Sequence, residues 1–360
     1  MAYTNIDDPS AYFQATTYTG GGANTEVTNS GNSDLKPDFL WIKNRTAAYG
    51  HFVVDSNRNI SYAQNSSNAP YLETESTAVE NNNQNWMASV NTNGFTTGIA
   101  EHINNNAGSA FVAWQWKANG GTTASNTDGT VTTTTQVNSD AGFSIVTWAG
   151  GGTGTLGHGL GETPDMWIIK NRDYAVSWAV GFSDSSILGG RSKYLQLNTT
   201  NAISTYNNFW GTSDGQISST TIGAAGDRTI NISGNDYVGY FFKAKQGYSK
   251  FGKYVGNGNA NGTFVYTGFK PAFLLWKITS TTGDWRLVDT KRGVNGAIPR
   301  IKPNATSAEG SAGDNVDLLS NGFKFRSTAA SANASGASYI YMAFAENPFT
   351  TSTGIPATAR

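Results

Sequence analysis

Three short apolar runs, each led by a proline, set the pattern of this chain. They are PDFLWIKNR at Pro37–Arg45, PDMWIIKNR at Pro164–Arg172 and PAFLLWKIT at Pro271–Thr279. In each, a polar or small residue precedes four apolar ones, and a lysine (Lys43, Lys170 or Lys277) follows them. A short run that is apolar at successive positions predicts a strand buried on both faces, and proline suits its first residue because no ladder donor is needed there. Such a strand is expected in the middle of a two-layer β structure, its lysine surfacing where the chain leaves the core.

A second pattern follows each of these runs: SAFVAWQWKA (109 to 118), NDYVGYFFKA (235 to 244) and ASYIYMAFAE (337 to 346). Aligned without gaps, one face carries Val112, Trp114 and Trp116 against Val238, Tyr240 and Phe242, and Ile340, Met342 and Phe344. Alternation with one strongly apolar face predicts an outer strand of a sandwich. A third marker precedes each proline: Tyr18 with Gly20 to Gly22, Trp148 with Gly150 to Gly152, and Tyr254 with Gly256 and Gly258, each a strand ending in a glycine-rich turn. Self-similarity of this kind marks a repeat architecture.

The markers divide the chain into a lead-in (1–12), a first repeat (13–121), a Thr/Ser-rich linker with one threonine-rich edge strand (122–141), a second repeat (142–247), a third (248–346) and a tail (347–360). The predicted fold class is all-β, with three tandem antiparallel β-sandwich repeats in a row. Asn93-Gly94 and Asn321-Gly322 carry a hairpin signal in repeats one and three, and repeat two offers only Asp214-Gly215. Composition agrees: 42 glycines and a charged fraction of only 14% favour short strands and turns over helices.

Charge removes some partners. With 24 basic and 25 acidic residues the chain lacks the basic footprint that nucleic acid or an anionic membrane requires. Without cysteine it has neither disulfides nor thiolate metal sites. The N-terminal MAYTNIDDPSAYFQ has no signal-peptide pattern and no run approaches membrane-spanning length, so a soluble, non-exported protein is expected.

Candidate chemistry is sparse. His51, His102 and His158 lack any identifiable nucleophile or metal partner, and His158, in LGHGLG, reads as turn packing. Glu73 and Glu75, taken as alternate residues of a strand, would share a face as a glycosidase pair does, but repeat two has Gln196 and Asn198 there. Neither a catalytic residue nor a metal ligand is assigned and no cofactor is expected; structural calcium is conceivable from the many Asp and Asn oxygens, but no calcium loop is present. The glycine triplets lack the lysine and helix of a phosphate cradle. The shared KNR triplet reads as a strand-end turn, its Asn bonding locally and its Arg pairing with a neighbouring carboxylate. Sugars are held by aromatic faces rimmed with hydrogen-bonding groups, which makes the loop aromatics Tyr49, Tyr62, Trp86, Tyr174, Tyr206 and Trp210 the candidate carbohydrate contacts.

The strings IDDPSAYFQ and YTGGG, the two KNR runs, HGLG, KYLQLNTTNA (193 to 202) and FVAWQWKANGG (111 to 121) resemble a family of repeat domains in virion proteins of tailed bacteriophages, notably marine ones, related in fold to concanavalin A-like lectins. The likeness covers repeats one and two well and repeat three more weakly. It implies jelly-roll sandwiches and residence on the phage particle. The expected protein is a non-enzymatic virion component made in the bacterial host cytoplasm, and its partners are other virion proteins, further copies of itself and host cell-surface glycans. Two roles compete: tail fibre or tail-tip adsorption to host glycans, favoured by the lectin-like fold, and capsid decoration, favoured by the lack of a shaft. A polysaccharide depolymerase is the third.

Overall fold

The computed structural model describes residues 3–60, 69–82, 85–99, 102–310 and 314–356. The first unit comprises β1 (Phe13–Thr19), β2 (Glu26–Thr28), β3 (Phe39–Asn44), β4 (His51–Asp55), β5 (Met87–Asn91), β6 (Gly94–Thr97) and β7 (Ala110–Trp116). The second comprises β8 (Ala124–Asn126), β9 (Thr133–Asn138), β10 (Phe143–Ala149), β11 (Gly154–Gly157), β12 (Met166–Asn171), β13 (Ala179–Phe182), the single-turn helix α1 (Ser185–Leu188), β14 (Lys193–Gln196), β15 (Ser204–Thr205), β16 (Thr221–Ala224) and β17 (Asp236–Phe242). The third comprises β18 (Ser249–Val255), β19 (Phe264–Tyr266), β20 (Phe269–Ile278), β21 (Arg286–Asp289), β22 (Val316–Leu319), β23 (Gly322–Phe325) and β24 (Ser338–Pro348).

All the sheets are antiparallel, and the three units repeat one order. Inner sheets run β1-β7-β3-β4, β10-β17-β12-β13 and β18-β24-β20-β21; smaller outer sheets run β2-β6-β5, β11-β16 and β19-β23-β22. The proline-led runs are β3, β12 and β20, each buried along its whole length between two neighbours. Pro271 lies inside β20 at a register shift, a bulge that spares the ladder donor proline lacks.

The aromatic strands β7, β17 and β24 are central strands, not outer ones. Their alternation separates two apolar environments, not core from solvent. One face of each inner sheet packs on its own outer sheet, as Phe111 and Ala113 do with Val27, Met87 and Phe95. The opposite faces of all three inner sheets meet in one common core holding Trp114 and Trp116, Tyr240 and Phe242, and Met342 and Phe344. Across it the Trp116 and Phe344 rings stand 5.4 Å apart and the Phe242 and Phe344 rings 6.0 Å. The units are therefore not strung in a row. They close on a shared interior, where each large side chain gains roughly 1.5–3 kcal/mol from burial.

Residues 122–141, read as a linker, hold β8 and β9, which extend the inner sheet of unit two through β10. Thr133, Thr135 and Gln136 of β9 are buried. Lead-in and tail are tied down at places: Ile6 joins the common core, and the Asp7 carboxylate accepts from Ser352 N–H at 2.6 Å.

Candidate functional site

The lysines that end the proline-led runs are fully buried, contrary to the expectation that they surface. Each ammonium instead donates to main-chain carbonyls, one of them in another unit. Lys170 Nζ reaches Asn171 O, Val176 O and Thr77 O of unit one at 3.0, 2.9 and 3.1 Å. Lys277 Nζ reaches Ile278 O, Gly283 O and Thr200 O of unit two at 3.2, 2.8 and 3.2 Å. Lys43 Nζ reaches Asn44 O and Thr306 O of unit three at 2.7 and 3.1 Å. The same bond thus crosses all three seams and closes a ring. Burial pulls each of the three ammonium groups down to about 8.

Further bonds repeat around that ring. His51, Trp178 and Trp285 occupy one position relative to the prolines, and their ring nitrogens Nε2, Nε1 and Nε1 bond Lys302 O, Glu73 O and Gln196 O at 3.0, 2.9 and 2.9 Å. In the main chain, Glu80 N–H, Ile203 N–H and Glu309 N–H donate to Arg172 O, Thr279 O and Arg45 O at 2.8, 3.3 and 3.0 Å.

Side-chain chemistry at the seams differs. Between units one and two, Arg58 binds Asp55 at 2.6 Å and Glu80 at 2.7 Å, Arg172 holds Glu80 through two bonds, and the Tyr240 hydroxyl donates to Asp55 at 2.7 Å. Between units three and one, Arg292 binds Asp289 and Glu309, Arg45 holds Glu309 through two bonds, and Trp114 Nε1 donates to Asp289 at 2.9 Å. Burial acts to raise the Glu80 and Glu309 carboxyls, yet their arginines outweigh it and hold both below the usual range. Between units two and three the corresponding positions are Phe182, Ser185, Ile203, Thr279 and Met342. Phe182, Leu188 and Met342 belong to the common core and Ile203 packs against it. In repeat three Thr279 stands at the position of the KNR arginine, and its seam partner is Ile203 where the other seams have a glutamate. The asparagines of the surviving triplets close the turn locally: Asn44 Oδ1 accepts from Thr46 and Ala47 N–H, and Asn171 Oδ1 from Asp173 and Tyr174 N–H.

Glu73 and Glu75 lie in a turn, not a strand, and both carboxylates approach Gly50, where a Cβ would collide with them. Burial, with Glu73 alongside, pushes the Glu75 carboxyl up to about 7, the kind of shift seen at catalytic acids. Its bond is nevertheless a fold bond. Glu75 Oε2 accepts His51 N–H at 3.0 Å, as Asn198 Oδ1 accepts Trp178 N–H at 3.1 Å and Asn304 Oδ1 accepts Trp285 N–H at 2.9 Å. An amide makes the same bond in the other two units, so this bond does not depend on the carboxylate's charge.

Two of the three histidines are similarly committed. His51 is fully buried; its Nδ1 accepts from Trp41 Nε1 at 2.8 Å, which assigns the proton to Nε2 and a neutral ring. Burial, with Lys43 nearby, keeps it well below its ordinary pKa. His158, also buried, accepts Leu160 N–H on Nδ1 at 3.2 Å and faces Ser218 O through Nε2, and burial lowers it to about 4. His102 is exposed and stacks on Tyr49 at 4.5 Å. Sequence reasoning missed three buried asparagines, Asn105, Asn231 and Asn333, set at one distance before Phe111, Tyr237 and Tyr339. They accept Gly21, Gly151 and Asn257 N–H at 3.0, 3.1 and 3.0 Å, so these glycine-turn donors serve the fold. Their constant offset was the available signal.

Of the candidate carbohydrate contacts, Trp86 and Trp210 are 8% and 1% exposed. Trp210 Nε1 donates to Lys193 O at 2.9 Å, and Trp86 packs on Tyr71 at 4.2 Å. Tyr49 is half-buried against His102. Tyr174, beneath the Arg228 guanidinium at 4.5 Å, and Tyr206, edge-on to Phe209, are 43% and 46% exposed. Tyr62 lies outside the described residues. No ring contact joins Tyr49, Tyr174 and Tyr206 to one another among the described residues. No group of three His, Asp or Glu side chains there is placed to hold a metal ion.

Fold and seams define an all-β protein whose repeated units fold as one body around a common core. The chain belongs to the family described as "Domain of unknown function (DUF7483)", whose model matches residues 8–348 and so takes all three units as one. No curated protein and no solved structure matches it.

Proposed function

We propose that the protein is a non-enzymatic structural component of a tailed-bacteriophage particle, carried on the tail and holding host surface glycans. The observation that carries this reading is where the reactive side chains go. The buried lysines, His51, His158 and the Glu75 carboxylate all bond main-chain groups of the fold, while the aromatic side chains Tyr174 and Tyr206 remain at the surface. Sugar contact by aromatic faces needs no catalytic group. The repeated strings support reading each two-layer unit as a concanavalin A-like jelly roll. Other virion proteins and further copies of the chain are its structural partners.

Capsid decoration is the second reading, favoured by the near three-fold arrangement of the units, which suits a site where three subunits meet. Electron cryomicroscopy of intact particles tests both. Density for the chain at the tail periphery, with retention of the purified protein on host polysaccharide and no loss of polymer viscosity, is the expected result. Density over the capsid faces overturns the tail assignment, and falling viscosity overturns the non-enzymatic one.

A further inference from the structure

The outer sheet of unit three carries aromatic rings on its solvent face where the other two units carry polar or small residues. Val27, Leu156 and Val265 are the inward residues of β2, β11 and β19, paired with Phe95, Ile222 and Phe323. Their neighbours turn the other way, because side chains alternate along a strand. Those neighbours are the exposed Glu26 and Thr28 in unit one, Thr155 and Gly157 in unit two, where Gly157 is buried beneath Asn126, and Phe264 and Tyr266 in unit three. The last two are 43% and 48% exposed.

Both rings are held in place. Phe264 lies over Gly322 of β23, its Cε2 3.2 Å from where a Cβ would stand, so glycine leaves room for the ring to lie on the sheet. The Tyr266 hydroxyl meets that of Tyr3 at 3.2 Å, and Tyr3 in turn donates to Gly268 O at 2.7 Å. Lys250 sits 5.4 Å over the Tyr266 ring and donates to Tyr266 O at 3.0 Å. Lys324 stands opposite Phe264 on β23 and makes no ion pair among the described residues. The carboxylate beside it, Asp317, is engaged by Arg326 at 2.6 Å. The face therefore combines two rings with two cations that have no carboxylate partner. Two exposed aromatics side by side on an edge strand form a patch of the kind that marks a binding surface.

We propose that this face binds an acidic polysaccharide. Sugar rings stack on Phe264 and Tyr266, whose Cα atoms are about 6.6–6.8 Å apart along the strand, and Lys250 and Lys324 take the sugar carboxylates. Flat rings with donors beside them and no concave pocket suit a chain of sugar rings better than the anchor side chain of a protein partner. The proposal rests on the glycan reading above and moves its contact from Tyr174 and Tyr206 to unit three.

The test is binding of the full chain to sodium alginate, a linear polyuronate, with neutral dextran as comparison. Wild type is expected to bind alginate and not dextran, more weakly as salt rises. Phe264→Thr with Tyr266→Thr should weaken binding at least tenfold with an unchanged unfolding midpoint; Lys250→Gln with Lys324→Gln should remove most of the salt dependence. Tyr174→Ala and Tyr206→Ala should have no effect. Failure of wild type to bind alginate, or equal binding of dextran, overturns the proposal while retention on host polysaccharide still decides the glycan reading. Loss of binding in the Tyr174 or Tyr206 variants but not in the unit-three variants also overturns it, and leaves glycan binding standing at another surface.

Discussion

Lys170 of the second unit donates its ammonium to the carbonyl of Thr77 in the first, at 3.1 Å, a buried cation reaching across the seam to a residue at its exposed rim. Since Lys277 and Thr200, and Lys43 and Thr306, repeat it, the three seams share one stabilising device. Lys170→Met keeps the aliphatic stem and strands three carbonyls. A buried acceptor left without its donor costs about 1–3 kcal/mol; Asn171 O is such an acceptor, while Val176 O and Thr77 O are part-buried and cost less, so a loss of about 1–3 kcal/mol is expected by urea denaturation. A loss below about 0.5 kcal/mol, the size of an ordinary surface substitution, would remove the lysine from the list of seam bonds.

The protein contains both a charged and an apolar solution to one packing problem. Glu80→Ile alone leaves Arg58 and Arg172 facing a hydrocarbon, and breaking a buried network from one side costs about 3–5 kcal/mol. Installing the whole second seam in the first (Asp55→Phe, Arg58→Ser, Glu80→Ile, Arg172→Thr and Tyr240→Met) should instead return stability to within about 1–2 kcal/mol of wild type or above it. Thermal unfolding of both variants decides this. A fivefold variant less stable than Glu80→Ile alone would contradict the equivalence of the seams.

Acid sensitivity follows from the buried histidines. A His held below its unfolded pKa contributes stability that is present above the unfolded value, near 6.5, and lost as pH falls toward the folded one, about 4 for His158. That shift corresponds to about 3 kcal/mol. Glu75, raised to about 7, acts oppositely, since the folded protein takes up its proton first as pH drops from 7 to 4.5. The pair in unit three, Leu275 and Trp285, suggests the control: Trp41→Leu with His51→Trp removes one histidine and keeps an indole donor for Lys302 O. Its stability should fall less than that of wild type between pH 6.5 and 4. Equal slopes would mean that His51 does not titrate there.

Glu75→Gln keeps an acceptor for His51 N–H and removes a carboxylate whose burial disfavours its charge. Above pH 7 the variant is expected to be more stable by about 1–3 kcal/mol, the raised carboxyl converted at 1.36 kcal/mol per pH unit and reduced for partial solvent screening. Below pH 4.5 the difference should vanish. A destabilised variant at pH 8 would show that the negative charge itself is needed beside Lys43.

Burial separates the loop aromatics. Trp210→Ala should cost about 3–5 kcal/mol as a core truncation, while Tyr206→Ala should stay within about 0.5 kcal/mol, both read by chemical denaturation.

The alternation of apolar and polar residues determined the all-β class, the threefold repetition and the doubly buried proline-led strands, because these are set by local period and by which residues water rejects. The offsets shared by Lys43, Lys170 and Lys277 were equally legible. What those lysines do was not, since a long cationic side chain at a strand end reads as solvated until another unit's carbonyl is placed against it. Likewise β7, β17 and β24 read as outer strands, because alternation cannot distinguish solvent from a second apolar interior. The common core, the pairing of Glu80 with Arg172 and its replacement by Ile203 and Thr279, and the exposure of Phe264 and Tyr266 were decided only by tertiary packing. Each depends on segments far apart in the chain being brought into contact, which no local pattern encodes.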